Sequence, residues 1–369
     1  MAICISVPDQ VWRGAVASTG RDLLRCWVSY DVLVIPRTVG GAAPLTGPGN
    51  LPIRGHSLLD EEQSPTAIMD LLAKWETAMS IRAILVGASG GTASDGAIDL
   101  ACRLALRVGA HLQGYHVKSD PSDVIIAASM DGPGMPIHGS WIERSIEHAD
   151  KLAARTRAAF FQATERHGLT QFDKPQAGIA NGASVEWREE TGSGTALIAA
   201  QARFFDLIVL GRSDRVIDQP ASDVIEGTLV QSGRPVLLAP ATPPVTIGET
   251  IAIGWDGSPR SVRAITAALP LLRHAKKTVI IAIDDDPDTA STAPITDYLG
   301  WHGIASDGQQ LRAVAGVGRG EQLLSAARDT GADLLAMGAF GQSRWRQMLF
   351  GSATQTVVST SLLSILMTH

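Results

Sequence analysis

The sequence contains an internal repeat of a strand–turn–helix pattern, and this repeat constrains the fold more than any other feature. The runs 84–90 and 251–257 are each an apolar segment that breaks into a polar turn, and 206–211 matches 333–338 in the same way. The offset between the copies is 167 residues at the first landmark and 127 at the second, so the first copy holds about 40 extra residues. Apolar runs that alternate with helical patterns predict parallel β–α–β units with both sheet faces covered. We therefore predict two tandem α/β units.

Each copy is predicted to form an open five-stranded parallel sheet with helices on both faces. In the first copy we predict strands near 81–88, 112–118, 184–188, 206–211 and 235–239, and helices near 93–109, 140–167, 194–204 and 221–232. In the second copy we predict strands near 249–255, 277–283, 310–316, 333–337 and 362–367, and helices near 259–273, 291–302, 319–330 and 351–360.

Residues 1–80 differ from the rest because they mix Pro and Gly clusters with isolated aromatic residues. Only the run 31–35 resembles a strand there, so we expect an N-terminal extension that packs poorly. Met79 is followed at once by a buried-strand pattern and resembles a natural start, so we expect removal of residues 1–78 to leave folding intact. The predicted domains are then 1–80, 81–240 and 248–369, with a proline-containing linker at 239–244.

Composition narrows the class of protein. The chain has 31 Lys and Arg against 37 Asp and Glu, and this net charge of -6 gives no reason to expect a nucleic-acid surface. The three cysteines, Cys4, Cys26 and Cys102, form no CxxC pair, which predicts reduced thiols rather than disulfides or a zinc site. No apolar run approaches the roughly 20 residues that span a bilayer. We expect a cytoplasmic protein that binds neither membrane nor nucleic acid.

A glycine motif in the second copy suits a phosphate. Gly338 ends the fourth strand, Gly341 follows three residues later, and after nine residues Gly351 and Ser352 open the next predicted helix. Glycine lets the backbone turn closely around a ligand, and the free N–H groups of a helix N-terminus favour an anion. In open α/β sheets ligands lie beyond the carboxyl ends of the strands, where the strand order reverses. Arg344 and Arg346 inside the loop are candidates to clamp phosphate oxygens or, equally, solvated surface residues.

This motif resembles the nucleotide-binding signature of the universal stress protein family, G-x-x-G, nine residues, then G-[ST]. The likeness covers 81–369, and the repeat is similar to that of the tandem members. The resemblance implies strand order 3-2-1-4-5 and an adenine nucleotide such as ATP, with or without magnesium. It also implies an Asp after the first strand near the adenosine, matched by Asp256, and a residue ending the second strand that contacts the base through its backbone, matched by Ile283. Asp256 has a purely structural alternative as a turn residue before a helix that begins at Ser258 and Pro259.

The first copy departs from the signature. Its loop reads Gly211, then Asp214 in place of the second glycine, then Gly227 and Thr228 after twelve residues. A carboxylate at Asp214 would repel phosphate, and Ser89 stands where the second copy has Asp256. We expect no ATP binding of the family kind in the first copy, although Gly227 and Thr228 remain candidates to cap a helix over a smaller ligand.

Two other functions stay open at this point. The run Ser89–Asp95 resembles the S-G-G-x-D-S phosphate loop of ATP pyrophosphatases, with Ala93 in place of the motif's Asp, which would make the protein an adenylating enzyme. A structural interaction module that binds no nucleotide is the other alternative. The histidines are scattered and no catalytic constellation is present, so we expect no enzyme, or at most slow ATP hydrolysis.

The fifth strand of each copy carries a prediction about assembly. An open sheet leaves the backbone groups of its edge strand exposed, and the runs 235–239 and 362–367 are both apolar enough to be covered. In the family that the chain resembles, two sheets commonly pair through this strand. We expect the two copies to form an internal pseudo-dimer through Leu237 and Ile365, with further homodimerisation left open.

Overall fold

The computed structural model describes residues 28–29, 32–33, 80–120, 139–172, 182–212, 222–286, 291–339 and 363–369. The chain divides into two units, Met1–Ser64 and Pro65–His369, and each is described by itself. In the first unit, β1 (Val28–Ser29) pairs antiparallel with β2 (Val32–Leu33). The strand predicted at 31–35 is therefore present only at 32–33 among the described residues.

The second unit contains both copies of the repeat. The elements of the first copy are β3 (Ala83–Gly87), α1 (Thr92–Val108), β4 (His111–Lys118), α2 (Gly139–Arg166), β5 (Thr170–Gln171), β6 (Ser184–Thr191), α3 (Gly194–Ala202), β7 (Leu207–Arg212), α4 (Ser222–Gln231) and β8 (Val236–Pro240). Those of the second copy are β9 (Thr250–Trp255), α5 (Pro259–Leu272), β10 (Lys277–Asp284), α6 (Ala293–Trp301), β11 (Asp307–Arg312), α7 (Arg319–Asp329), β12 (Leu334–Gly338) and β13 (Ser364–Thr368). The predicted helix at 351–360 lies outside the described residues.

The strands of both copies join in one sheet of eleven strands, in the order β11-β10-β9-β12-β13-β8-β7-β3-β4-β6-β5. Within each copy all pairs are parallel, and the order 3-2-1-4-5 agrees with the predicted fold class. The two predicted sheets are thus halves of one continuous sheet.

The halves meet where β13 pairs antiparallel with β8, with Leu366 opposite Leu237, Ile365 opposite Leu238 and Met367 opposite Val236. Leu237, Ile365 and Met367 have no exposed surface. The predicted pairing of the fifth strands is therefore present. Because this pair is antiparallel, the carboxyl edges of the two parallel halves lie at opposite edges of the sheet.

Helices cover both faces of the sheet. Residues of α1, α2, α5 and α6 belong to one apolar core, and residues of α3, α4 and α7 belong to the other. Both cores contain residues of both copies, since alternate side chains of β8 and β13 point to opposite faces. None of the helices in the described ranges is at once long and apolar enough to cross a membrane.

The structure corrects the bounds of one predicted strand and contains one short strand that was not predicted. The third strand of the second copy was predicted at 310–316, but β11 spans Asp307–Arg312, and the chain already turns at Gly316, which has φ of 80°. The predicted strand lies too far towards the C-terminus because residues 313–315 are apolar. The strand in the structure is instead an exposed, polar edge strand. The two-residue β5 was not predicted because its Thr and Gln are both exposed and show no apolar pattern.

The carboxyl edge of the second copy as a candidate nucleotide site

The strand order reverses between β9 and β12 in the second copy, and the turn after β9 contains Asp256. The Asp256 Oδ1 accepts a hydrogen bond of 3.0 Å from the backbone N–H of Ser258. Gly257 has φ of 71°, and the Ser258 hydroxyl caps α5 by accepting from the N–H of Ser261 at 3.2 Å. The structural role expected of Asp256 as a turn residue is thus present. Its carboxylate is nevertheless exposed at the carboxyl edge, where it is accessible to a ligand.

Ile283 is the penultimate residue of β10 rather than the last, because the strand continues to Asp284. The last pair between β10 and β9 joins Ala282 to Trp255. The backbone carbonyl of Asp284 accepts a hydrogen bond of 2.7 Å from the N–H of Ala313, directly after β11. Successive residues of a strand direct their backbone groups to opposite neighbouring strands. The Ile283 carbonyl is therefore directed to the β9 side, beyond the last paired residue of β9. An acceptor in this position suits the edge of a base.

Gly338 ends β12 as predicted, and close helix packing explains why a glycine is present. A Cβ on Gly338 would lie 2.7 Å from the Cβ of Arg260 and 2.8 Å from the backbone N of Ser261, in the first turn of α5. Gly211 has the same role in the first copy, where a Cβ would meet the backbone of Ala93 in α1. This glycine is therefore required by the fold in both copies, whether or not a ligand binds.

The rest of the predicted motif, Gly341, Gly351 and Ser352 with the loop residues Arg344 and Arg346, lies outside the described residues. The structure therefore brings Asp256, Ile283 and Gly338 to one edge of the sheet.

Two arginines at this edge were not among the residues predicted from the sequence. Arg319, the first residue of α7, lies 3.1 Å from Asp285 Oδ2 and 3.8 Å from Asp284 Oδ1, so it balances two carboxylates at the end of β10. Arg260, the second residue of α5, has a buried Nε for which no hydrogen-bond partner is found in the described part of the chain.

At the corresponding edge of the first copy, Gly90 and His116 are packed against other parts of the protein. Gly90, after β3, has φ of 91°, and a Cβ there would lie 2.6 Å from Leu152 of the long helix α2. The His116 ring is buried, lies 2.6 Å from the carbonyl of Ala88 through Nδ1, and stacks on Trp187 at 6.4 Å between ring centroids. Helix α2, which the second copy lacks at this length, thus covers Gly90, whereas Ser89, at the position of Asp256, is exposed.

The loop after β7 also differs from its counterpart. The Arg212 guanidinium donates to the carbonyl of Leu363 in the second copy at 2.7 Å, and its burial lowers its pKa to about 10. Gly227 and Thr228, the candidates to cap a helix over a smaller ligand, lie inside α4, which begins at Ser222 in agreement with the helix predicted near 221–232. Thr228 is buried and donates to the carbonyl of Val224, while Gly227 allows close contact with Thr195 of α3. Asp214 lies outside the described residues.

Residues 249–369 match the model of the Universal stress protein family. The matched residues make up the second copy, and the first copy repeats the same strand order. No curated protein sequence matches the chain.

A solved structure shares the fold over most of this chain. A universal stress protein from Archaeoglobus fulgidus DSM 4304 is 15% identical, with 78% of this chain and 97% of that chain covered and a TM-score of 0.55, which shows a shared fold. A proposed universal stress protein from Pseudomonas aeruginosa UCBPP-PA14 is 17% identical over 79% of this chain and 94% of that chain, with a TM-score of 0.44. A universal stress protein in complex with cAMP is 18% identical over 44% of this chain and 98% of that chain, with a TM-score of 0.25. The last two scores are too low to carry an argument.

Proposed function

We propose that the second copy binds an adenine nucleotide at its carboxyl edge and that the protein acts as a nucleotide-dependent regulatory module in a stress response. The observation that carries this proposal is the convergence of Asp256, the Ile283 carbonyl and Gly338 at the point of strand reversal, directly before the Gly341–Ser352 segment of the family signature. The family model also matches this half of the chain.

Each of these groups has a task that its chemistry fits. The exposed Asp256 carboxylate can accept hydrogen bonds from ribose hydroxyls, and the Ile283 carbonyl can accept from the exocyclic amine of adenine. The glycines and Ser352 then offer N–H and hydroxyl donors to the phosphates. ATP is the ligand that fits this set best, and a magnesium ion would arrive with its phosphates.

The first copy has a different role in this proposal. Leu152 of α2 covers Gly90, and Arg212 contacts the second copy, so both residues are engaged by the protein itself in the described part of this edge. The same packing accounts for Gly90 without a phosphate, and so the likeness to an ATP-pyrophosphatase loop loses its main support. We propose that the first copy acts as a structural partner and that nucleotide binds with one molecule per chain.

Calorimetry of the full chain with ATP and magnesium tests the proposal. We expect one site per chain, with binding weakened about tenfold or more in Gly341→Arg, whose side chain would fill the space that a close ligand needs, and about threefold to tenfold in Ser352→Ala, which lacks the hydroxyl donor. Gly300→Arg is the matched control, because Gly300 lies exposed in α6 and a Cβ there meets nothing within 4 Å.

The outcome distinguishes three functions. If both variants bind ATP as tightly as the parent, the pocket assignment is wrong. Absence of binding in the parent would favour an interaction module without nucleotide, and release of pyrophosphate in the presence of a carbonyl substrate would reveal an adenylating enzyme.

A further inference from the structure

Strand β11 forms one outer edge of the eleven-stranded sheet, where it pairs with β10 alone among the described strands. Its residues 307–310 and Arg312 are exposed, and Leu311 is half-buried. An outer strand presents backbone N–H and C=O groups to which a further strand can be added. The edge of β11 is therefore a surface that can pair with another strand.

The backbone groups of alternate β11 residues point away from β10. The N–H of Ala313, directly after β11, donates to the carbonyl of Asp284 in β10 at 2.7 Å. Successive residues of a strand direct their backbone groups to opposite sides. Gly308, Gln310 and Arg312 therefore direct their N–H and C=O groups outwards.

Gln322 of α7 occupies the outward groups at one end of this edge. Its Nε2 donates to the carbonyl of Arg312 at 2.7 Å, and its Oε1 accepts from the N–H of Val314 at 3.2 Å. These bonds agree with the outward direction at Arg312 and close the edge from this residue onwards. The outward groups of Gly308 and Gln310 lie in the exposed part of the strand before it.

The opposite outer edge of the sheet is less suited to strand addition. There β5 pairs with β6 at Ser184 and Val185. The remainder of β6 carries the charged residues Glu186, Arg188, Glu189 and Glu190. Charged side chains on an edge strand oppose the addition of another strand, whereas residues 308–311 of β11 are all uncharged.

We infer that two copies of the chain associate through β11, as an antiparallel pair whose two-fold axis passes at Gln309. In this register Gly308 of each copy lies opposite Gln310 of the other, and residues whose groups face each other exchange both of their N–H···O bonds. An axis at Gln310 would instead place Gly308 opposite Arg312, whose carbonyl is occupied by Gln322. The axis at Gln309 therefore pairs the outward groups that Gln322 leaves accessible.

The side chains fit the same register. Gln309 lies opposite its own copy, and two amide side chains can each donate and accept a hydrogen bond. Asp307 of each copy lies opposite Leu311 of the other and beside Arg312. The pairing thus brings opposite charges together at each end of the interface, and it places no like charges directly opposite each other.

Sedimentation velocity of the full chain at rising concentration measures the association. We expect the parent to pass from monomer to dimer. Gln310→Pro should raise the dissociation constant at least about tenfold, because it removes an N–H donor from each copy, and the sheet tolerates proline where the N–H points away from the neighbouring strand. Gln310→Thr is the matched control, since it keeps the N–H and suits a strand, and it should associate like the parent.

Two opposite charges at Gln309 test the register. Gln309→Lys and Gln309→Glu should each associate about threefold to fivefold more weakly than the parent, because like charges then face each other at the axis. An equimolar mixture of the two variants should associate more tightly than either alone. The same charges at Gln310, which lies opposite Gly308, should give the mixture a smaller advantage. This comparison remains valid even if the proline variant fails to fold.

The inference is overturned by a parent that stays monomeric at every concentration. A dimer that Gln310→Pro leaves intact, in a variant that melts like the parent, would exclude β11 as the interface. Dissociation by Trp301→Ser without any effect of Gln310→Pro would place the contact on the face of α6, where Trp301 is 90% exposed. A mixture of the charged Gln309 variants that associates no better than its components would contradict the axis at Gln309.

Discussion

At the scale of single residues, one aspartate in each copy of the repeat has the same structural role. Asp206 accepts hydrogen bonds from the N–H groups of Arg82 and Ala83 at 2.8 and 3.0 Å. Asp333 accepts from Gly248 and Glu249 at 2.8 and 3.0 Å. In both copies a carboxylate at the start of the fourth strand thus fixes the chain entering the first strand. These residues were recognised as landmarks from the sequence, but their role depends on contacts across more than 80 residues.

Asp333→Ala should lower the free energy of unfolding by about 2 kcal/mol or more, because it leaves two backbone N–H groups without their charged acceptor. Asp333 is buried, so solvent cannot readily replace the carboxylate. Denaturation by urea measures the change, with Asp329→Ala as the control at an exposed position of α7. Equal destabilisation by both variants would contradict this account of the landmark.

Cys102 is predicted to be unreactive in the native protein. Burial raises its pKa to about 12, with a further contribution from Asp99, so the nucleophilic thiolate is scarce at neutral pH. Because the folded pKa lies above the ordinary value of 9.0, its stabilising contribution is complete below pH 9 and is lost as the pH rises towards 12. Mass spectrometry after iodoacetamide treatment at pH 8 should show no label on Cys102 before unfolding.

The same thiol predicts a pH dependence of stability. Between pH 9 and pH 12 the parent should lose stability more steeply than Cys102→Ala, which has no thiol to ionise. The pKa of Tyr115, raised to about 12 by burial and by Glu190, adds a similar loss to both proteins and so does not affect the comparison. Parallel curves for the two proteins would show that the thiol is not the cause.

At the scale of helices and strands, the sequence predicted those elements whose apolar pattern faces a core. Helix α1 was predicted at 93–109 and spans Thr92–Val108, and β10 was predicted at 277–283 and spans Lys277–Asp284. The pattern failed for β11, which is exposed on the sheet edge, and it gave no signal for the two-residue β5, whose residues are both exposed. Local sequence carries little signal for an element whose neighbours are distant in the chain.

The residues of the candidate site were likewise only partly predicted from the sequence. Asp256, Ile283 and Gly338 were named because parallel strands bring their carboxyl ends to one edge, which topology alone predicts. Arg260 and Arg319 were missed because their roles come from contacts between different elements, with Gly338 and Thr368 for one and with Asp284 and Asp285 for the other. No spacing rule within the sequence points to such contacts.

The linker between the copies is held by two arginines of α1. Arg103 donates through Nη1 to the carbonyls of Pro244 and Val245 at 2.6 and 2.8 Å. Arg107 donates to the carbonyls of Ile247, Gly248 and, at 2.8 Å, His274. A helix of the first copy thus fixes the segment that leads into β9.

Arg107→Met should make the linker more accessible to protease, since the methionine keeps the apolar stem but loses every hydrogen bond to the linker carbonyls. Thermolysin, which cleaves before apolar residues, should then cut before Val245 or Ile247 several times faster than in the parent, roughly as expected for a loss of about 1 kcal/mol of local stability. Arg155→Met on the exposed side of α2 is the control. An unchanged rate of cleavage would mean that the linker is held by other contacts.

At the scale of the whole two-copy unit, the halves are joined by a seam, which is the antiparallel pair of β8 and β13. This pairing buries the two strand edges that the isolated halves would expose, and it directs the carboxyl edges of the halves to opposite edges of the sheet. The proposed nucleotide site therefore lies at the edge opposite to the carboxyl edge of the first copy.

The seam predicts a specific pattern of damage and rescue. Leu237→Asp places a charge opposite Leu366 in a pair with no access to water, and it should cost several kcal/mol, expose apolar surface to the dye ANS and enlarge the radius of gyration in X-ray scattering. Ile365→Asp should have the same effect. Val245→Asp, at a linker position that is 94% exposed, is the control.

A general failure to fold is separated from a broken seam by the double variant Leu237→Asp with Leu366→Lys. These positions lie directly opposite each other, so the two charges should interact and recover part of the stability lost in the single variants, which a double-mutant cycle measures as a coupling of about 0.5–3 kcal/mol. Leu237→Asp combined with Met367→Lys, one position out of register, should show less coupling because alternate residues face opposite sides of the sheet. Equal coupling in the two pairs, or none in either, would contradict the register by which the halves are joined.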